Sequence, residues 1–121
     1  MIKGFRDLIV YQRAYERSLK IHQITLKFPA IEQYVLGDQI RRATKSVAMN
    51  IAEGFGKKST LAEFKRFLTM ALGSCEEIRV QLDYCKDLGY IDAGCHNEYE
   101  QAYVETGKML VSMIKNWKQF E

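Results

Sequence analysis

Apolar residues recur at three- and four-residue intervals in four long runs, the pattern of amphipathic helices rather than of alternating strands. The first run predicts a helix capped by Asp7 and ending at Phe28, where Pro29 stops it. Val10, Ala14, Ile21, Ile24 and Phe28 form one stripe, with Tyr11, Tyr15, His22 and Leu26 beside it. The second run starts at Gly37 and Asp38, with the carboxylate at the positive end of the helix, and closes near Gly54. Its apolar ridge is Ile40, Ala43, Val47, Ile51 and Gly54; Gln39, Arg42, Ser46, Asn50 and Glu53 run alongside as a polar stripe. A polar stripe next to core positions implies a specific contact, to a helix, a subunit or a ligand.

Thr60 and Glu63 have the spacing of a capping box, with Ser59 as a competing cap. They open a third helix through Leu61, Phe64, Leu68, Ala71, Cys75, Ile78, Leu82 and Cys85 to Leu88 and Gly89. Asp92 caps a fourth, with Tyr99, Ala102, Thr106, Met109, Met113, Trp117 and Phe120 on its ridge. Short connections between long helices predict an all-α fold, an antiparallel up-down-up-down four-helix bundle in one domain, residues 1–121. Gly73 and Gly107 fall inside helices, each at a cost of about 1 kcal/mol relative to alanine. A close helix crossing or a subunit contact is the expected compensation, and Ser74 extends the small surface at Gly73.

The formal charge is +3, but its distribution says more than the total. Residues 1–72 carry 13 Lys and Arg against 6 Asp and Glu, and residues 73–121 carry 5 against 9. Such polarity can steer a polyanion or seat the basic part of one subunit on the acidic part of the next. The basic set is Arg41, Arg42, Lys45, Lys57, Lys58, Lys65 and Arg66, from the second helix, the loop and the start of the third. It is the candidate nucleic-acid surface. Gln39, Ser46, Asn50, Glu53, Gly73 and Ser74 are the candidate interface or structural positions. Cys75, Cys85 and Cys95 are odd in number and no secretory apolar segment precedes them, so a reducing cytoplasm is expected. No run approaches a membrane span.

Reactive constellations are not legible. GFGKKS, Gly54 to Ser59, lacks the leading glycine and the hydroxyl of a phosphate-binding loop, since Ile51 and Lys58 stand there. It leaves two lysines before a helix N-terminus, where an anion is favoured. His96-Asn97-Glu98 matches half of a zinc deaminase signature without the cysteine pair. The histidines and cysteines have no zinc spacing, and neither histidine has an evident nucleophile, so no metal, cofactor or catalytic residue is predicted.

FRDLIVYQRAY, the Phe28-Pro29 pair, QIRRATKSVAMNIAEGFGKKS, EFKRFLTMALGSCEEI and LGYI together resemble the four-helix-bundle proteins encoded in intervening sequences of large-subunit ribosomal RNA genes. That family is similar to the accessory protein of diversity-generating retroelements, a ring of five bundles that binds nucleic acid and its reverse transcriptase. The resemblance covers nearly the whole chain and makes Arg41, Arg42, Asn50, Glu53, Gly54, Gly73 and Ser74 marked positions without giving them roles. Gly37 departs from it, standing where the family more often has a hydroxyl cap. The resulting expectation is a non-enzymatic homo-oligomer, a pentameric ring by resemblance, whose basic face contacts RNA or a ribonucleoprotein. The alternative is a protein scaffold that binds no nucleic acid.

Overall fold

The four apolar periods become four helices: α1 (Ile9–Thr25), α2 (Leu36–Gly56), α3 (Leu61–Asp87) and α4 (Ala93–Lys115). They are seen in a computed structural model that describes residues 1–121 and contains no strand. Each helix packs on its sequence neighbours, and α4 closes more loosely on α1, giving the up-down-up-down bundle. Pairings along the length fit the antiparallel register. Lys45 in the first half of α2 meets His22 near the end of α1, Ser46 meets Ser74, and Asp83 late in α3 meets His96 early in α4. Val47, Ile51, Phe64, Leu68, Ala71, Ile78, Tyr103 and Leu110 are sealed from solvent in one core. Burying a large aliphatic side chain of this kind contributes about 1.5–3 kcal/mol.

The helix ends depart from the predicted pattern for local reasons. Asp7 closes a short 3-10 turn, Phe5–Asp7, where its carboxylate accepts from the Lys3 and Gly4 N–H groups at 2.7 and 3.3 Å. Leu8 therefore stands at the start of α1, without a side-chain cap. The helix ends at Thr25, three residues before Phe28. Thr60 is the cap residue of α3, yet its hydroxyl makes no capping bond. Glu63 bonds Arg66 at 2.8 Å, so the predicted capping box does not form. Asp92 does cap α4, accepting from the Cys95 N–H at 2.7 Å. Gly89, at φ 82°, takes the left-handed conformation that ends α3, and the Cys85 carbonyl accepts from Tyr90 and Ile91. Trp117 and Phe120 lie beyond α4 but still pack on the core, Phe120 stacking on Phe64 at 5.9 Å.

The predicted close crossing is found at Gly54, not at Gly73 or Gly107. A Cβ on Gly54 would lie 3.2 Å from Phe67 Cβ and Leu68 Cδ2, so α2 and α3 touch there. A Cβ on Gly73 meets nothing within 4 Å, and one on Gly107 reaches only Leu72 Cδ2, at 3.7 Å. Gly37 is more constrained, because a Cβ there would sit 2.8 Å from the Glu32 carbonyl oxygen, which is backbone and cannot swing aside. Gly37→Ala is therefore expected to destabilise the chain by about 1–3 kcal/mol in urea denaturation. Gly73→Ala is expected to stabilise the isolated subunit by about 1 kcal/mol, the ordinary helix gain.

Candidate nucleic-acid interface

The seven predicted basic residues do not form one patch, because α2 is long and spreads them along its axis. Arg42 and Lys57 are fifteen residues apart, about 22 Å along a helix. Arg41 faces the α1–α2 connection and is committed there. Its guanidinium donates to Thr25 Oγ1 at 2.8 Å and to the Gln33 carbonyl, while Gln33 donates to the carbonyls of Thr25 and Phe28 at 2.7 and 2.9 Å. Arg42 pairs with Asp38 at 3.1 Å, one turn back. Lys45 Nζ lies 2.9 Å from His22 Nδ1. Burial and the neighbouring Lys45 and Arg41 hold His22 below the usual histidine range, so it stays neutral and accepts at Nδ1. Burial and Arg41 lower Lys45 as well.

The other four belong to a basic end of the bundle. Lys57, Lys58, Lys65 and Arg66 of the α2–α3 hairpin are joined there by Lys3, Arg6, Lys115 and Lys118 from the two chain termini. The Phe64–Phe120 stack ties the hairpin to the C-terminus, and Phe5 shares a groove with Gly56 and Lys57. Residues 1–10, 53–66 and 112–121 contain these eight cations against four carboxylates, whereas residues 22–42 and 82–98 at the other end carry four against six. Of the eight, only Arg66 has a carboxylate partner, Glu63. Lys58 rests on the Phe55 ring at 4.8 Å, Arg66 on Phe67 at 4.4 Å and Arg6 on Phe5 at 4.5 Å, which steers their heads without neutralising them.

Beside this end lies a groove of about 840 Å³ between α1 and α2, lined by Phe5, Tyr11, Tyr15, Leu19 and Met49 and flanked by Lys45, Lys57 and Glu53. Phe5 and Tyr11 meet edge to face at 4.8 Å, and Tyr11 stacks on Tyr15 at 6.0 Å. By periodicity alone this tyrosine stripe reads as core. The four-residue step from Tyr11 to Tyr15 is a visible signal, but only the exposure of Tyr15 and Met49 shows that the stripe reaches solvent.

The predicted polar stripe divides in a similar way. Ser46 Oγ and Ser74 Oγ are 3.0 Å apart across α2 and α3, and Asn50 Nδ2 donates back to the Ser46 carbonyl and hydroxyl at 2.9 and 3.0 Å. These three form a hydrogen-bonded seam. Gln39, Glu53 and Gly73 are exposed, and Glu53 faces the groove. Cys75 and Cys85 are buried thiols whose pKa is pushed up to about 12 by desolvation, so they are poor nucleophiles. Neither histidine hydrogen-bonds a hydroxyl or a thiol: His22 meets Lys45, and His96 meets Asp83. Nothing in this arrangement points to catalysis. No helix is long and apolar enough to cross a membrane.

Fold and surface together define an all-α four-helix bundle whose polar groups knit helices together and whose free charge collects at one end. The chain belongs to the 23S rRNA-intervening sequence protein family, which it matches over residues 6–112. A solved structure of a protein of unknown function from the S23 ribosomal protein family of Bacteroides thetaiotaomicron is similar to it at 28% identity. The similarity spans 88% of this chain and 96% of that one, with a TM-score of 0.78. Among curated proteins, no sequence matches the chain. Arg41→Ala is expected to cost about 1.5–3 kcal/mol in urea denaturation, because Thr25 and Gln33 lose a charged donor. Arg42→Ala, which breaks only an exposed pair, is expected to change stability by less than about 0.5 kcal/mol.

Proposed function

We propose that this protein is a non-enzymatic binding module that holds RNA through the basic end of its bundle. The observation that carries the reading is the set of seven cations there without a carboxylate partner. At the opposite end Arg41 is engaged by backbone and hydroxyl groups and Arg42 by Asp38, so those two leave the predicted contact set. Lysines with free heads exchange condensed counterions for phosphates, which gives affinity that is strong at low salt and falls steeply as salt rises. Membership of a family named for ribosomal RNA intervening sequences is consistent with an RNA partner. Binding of a structured RNA, followed by fluorescence anisotropy across a salt series, tests this. Lys57→Ala with Lys65→Ala is expected to weaken binding and to reduce the slope of log affinity against log salt by about 2, one for each phosphate no longer neutralised. Arg42→Ala is expected to leave both unchanged.

Self-association is part of the same proposal, and a pentameric ring is the assembly the family resemblance implies. Two features support it. The α1–α2 groove exposes Tyr15, Leu19 and Met49 beside Lys45, while α3 exposes Met70, Val80 and Tyr84 beside Glu76 and Glu77. Unlike faces of this kind suit a head-to-tail contact, which closes into a ring. Gly73 lies on the α3 side, where its missing side chain has no explanation within one subunit. Native mass spectrometry is expected to give a species of five times the subunit mass and a monomer for Met49→Glu. An oligomer that forms while RNA binding is absent would favour the protein scaffold reading.

A further inference from the structure

Late in α3 and early in α4, three metal-competent side chains converge that their separation in sequence does not reveal. His96 and Glu100 are four residues apart on α4, hence on one face, and the antiparallel hairpin brings Asp83 of α3 opposite them. One donor atom from each lies within 4.8 Å of the other two. His96 Nε2 and Asp83 Oδ1 are 2.7 Å apart, with the His96 side chain 15% exposed and Asp83 63%. Glu100 is held on one oxygen only: its Oε1 accepts from Arg79 Nε at 2.9 Å and Nη2 at 2.8 Å. Its other oxygen, Oε2, is buried and has no hydrogen-bond partner. A buried carboxylate oxygen without a donor calls for a ligand, and a cation is the natural one.

We propose that Asp83, His96 and Glu100 bind a divalent transition-metal ion, with zinc the best match. One imidazole and two carboxylates form a nitrogen-oxygen donor set suited to zinc, which takes such ligands at about 2.0–2.2 Å and completes its shell with water. The ion replaces the hydrogen bond between His96 and Asp83 with two metal bonds. The separation of those atoms then widens to about 3 Å or slightly more, set by the metal-ligand lengths. Asp83 is exposed enough to make that adjustment. The charge balance is favourable, since two carboxylates face the ion and the nearby Arg79 is shared with Glu76 at 2.9 Å. Arg79 also fixes the Glu100 carboxylate, the orienting role that outer partners play for metal ligands. The site bridges α3 and α4, so occupancy would fasten that hairpin at the end of the bundle away from the basic surface. The simplest competing account is a plain His96–Asp83 hydrogen bond.

The test uses the full chain stripped with chelator, then titrated with zinc by calorimetry and with cobalt by visible absorption. The expected result is one ion per chain, a cobalt d–d band, and a rise in melting temperature on adding zinc. His96→Asn and Asp83→Asn are each expected to lower zinc affinity at least about tenfold and to abolish the thermal shift. His22→Asn, which changes the other histidine, is expected to behave as wild type. Circular dichroism of each variant confirms that the helices persist. Absence of stoichiometric zinc binding by the wild-type chain would overturn the proposal, as would folded His96→Asn and Asp83→Asn variants that keep wild-type affinity.

Discussion

Helix α2 is wedged between α1 and α3, and its burial on both sides is the constraint from which the other features follow. Ile40, Val47 and Ile51 are sealed from solvent, and Gly54 lets Phe67 and Leu68 of α3 come within 3.2 Å of where its side chain would be. At the opposite end, Arg41 binds Thr25 of α1 and the carbonyl of Gln33 in the connection, while Gly37 admits the Glu32 carbonyl. A helix gripped at both ends holds its register. That register aligns Ser46 with Ser74 and brings the α2–α3 hairpin to the same end as both chain termini.

The gathering of charge is a consequence of this topology. In sequence the positive charge belongs to the first half, but antiparallel packing folds that half back on itself. The cations of Lys57 to Arg66 then join those of the two termini, while Arg41 and Arg42 are carried to the far end. What faces solvent as uncompensated charge is therefore decided by helix direction more than by the net charge of either half. The groove between α1 and α2 has a similar origin. Its aromatic ladder lies on the flank of α1 that α4 does not cover, and part of Tyr11 and Tyr15 reaches solvent.

Much of the fold is legible in the chain, because helical periodicity depends on burial, and burial leaves a direct trace in residue type. Most ridge positions from Val10 through Met113 are core as predicted, whereas Leu61 at the start of α3 and Tyr15 and Leu26 of the second α1 stripe are exposed. The helix ends are less legible. Asp7 and Thr60 have the chemistry of caps, but a side chain can cap only if the adjoining backbone leaves at the right angle, and that depends on neighbours remote in sequence. The candidate surface is only half visible. Lys57, Lys58 and Lys65 remain free, whereas Arg41 looks the same in sequence and is spent on the connection it clamps. The convergence of Asp83, His96 and Glu100 cannot be read from spacing alone, since it needs the register of two helices across a turn. The i, i+4 step from His96 to Glu100 is its only trace.

If RNA is held as proposed, polyanion binding is confined to one end of the bundle. Backbone amide chemical shifts of the isotopically labelled protein, followed as a structured RNA is added at low salt, measure this directly. Perturbations are expected to concentrate on residues 53–66 and the two termini, and to fade as salt is raised. Perturbations centred on the end that carries Glu32, Asp38 and Asp92, or none at any salt concentration, would contradict it.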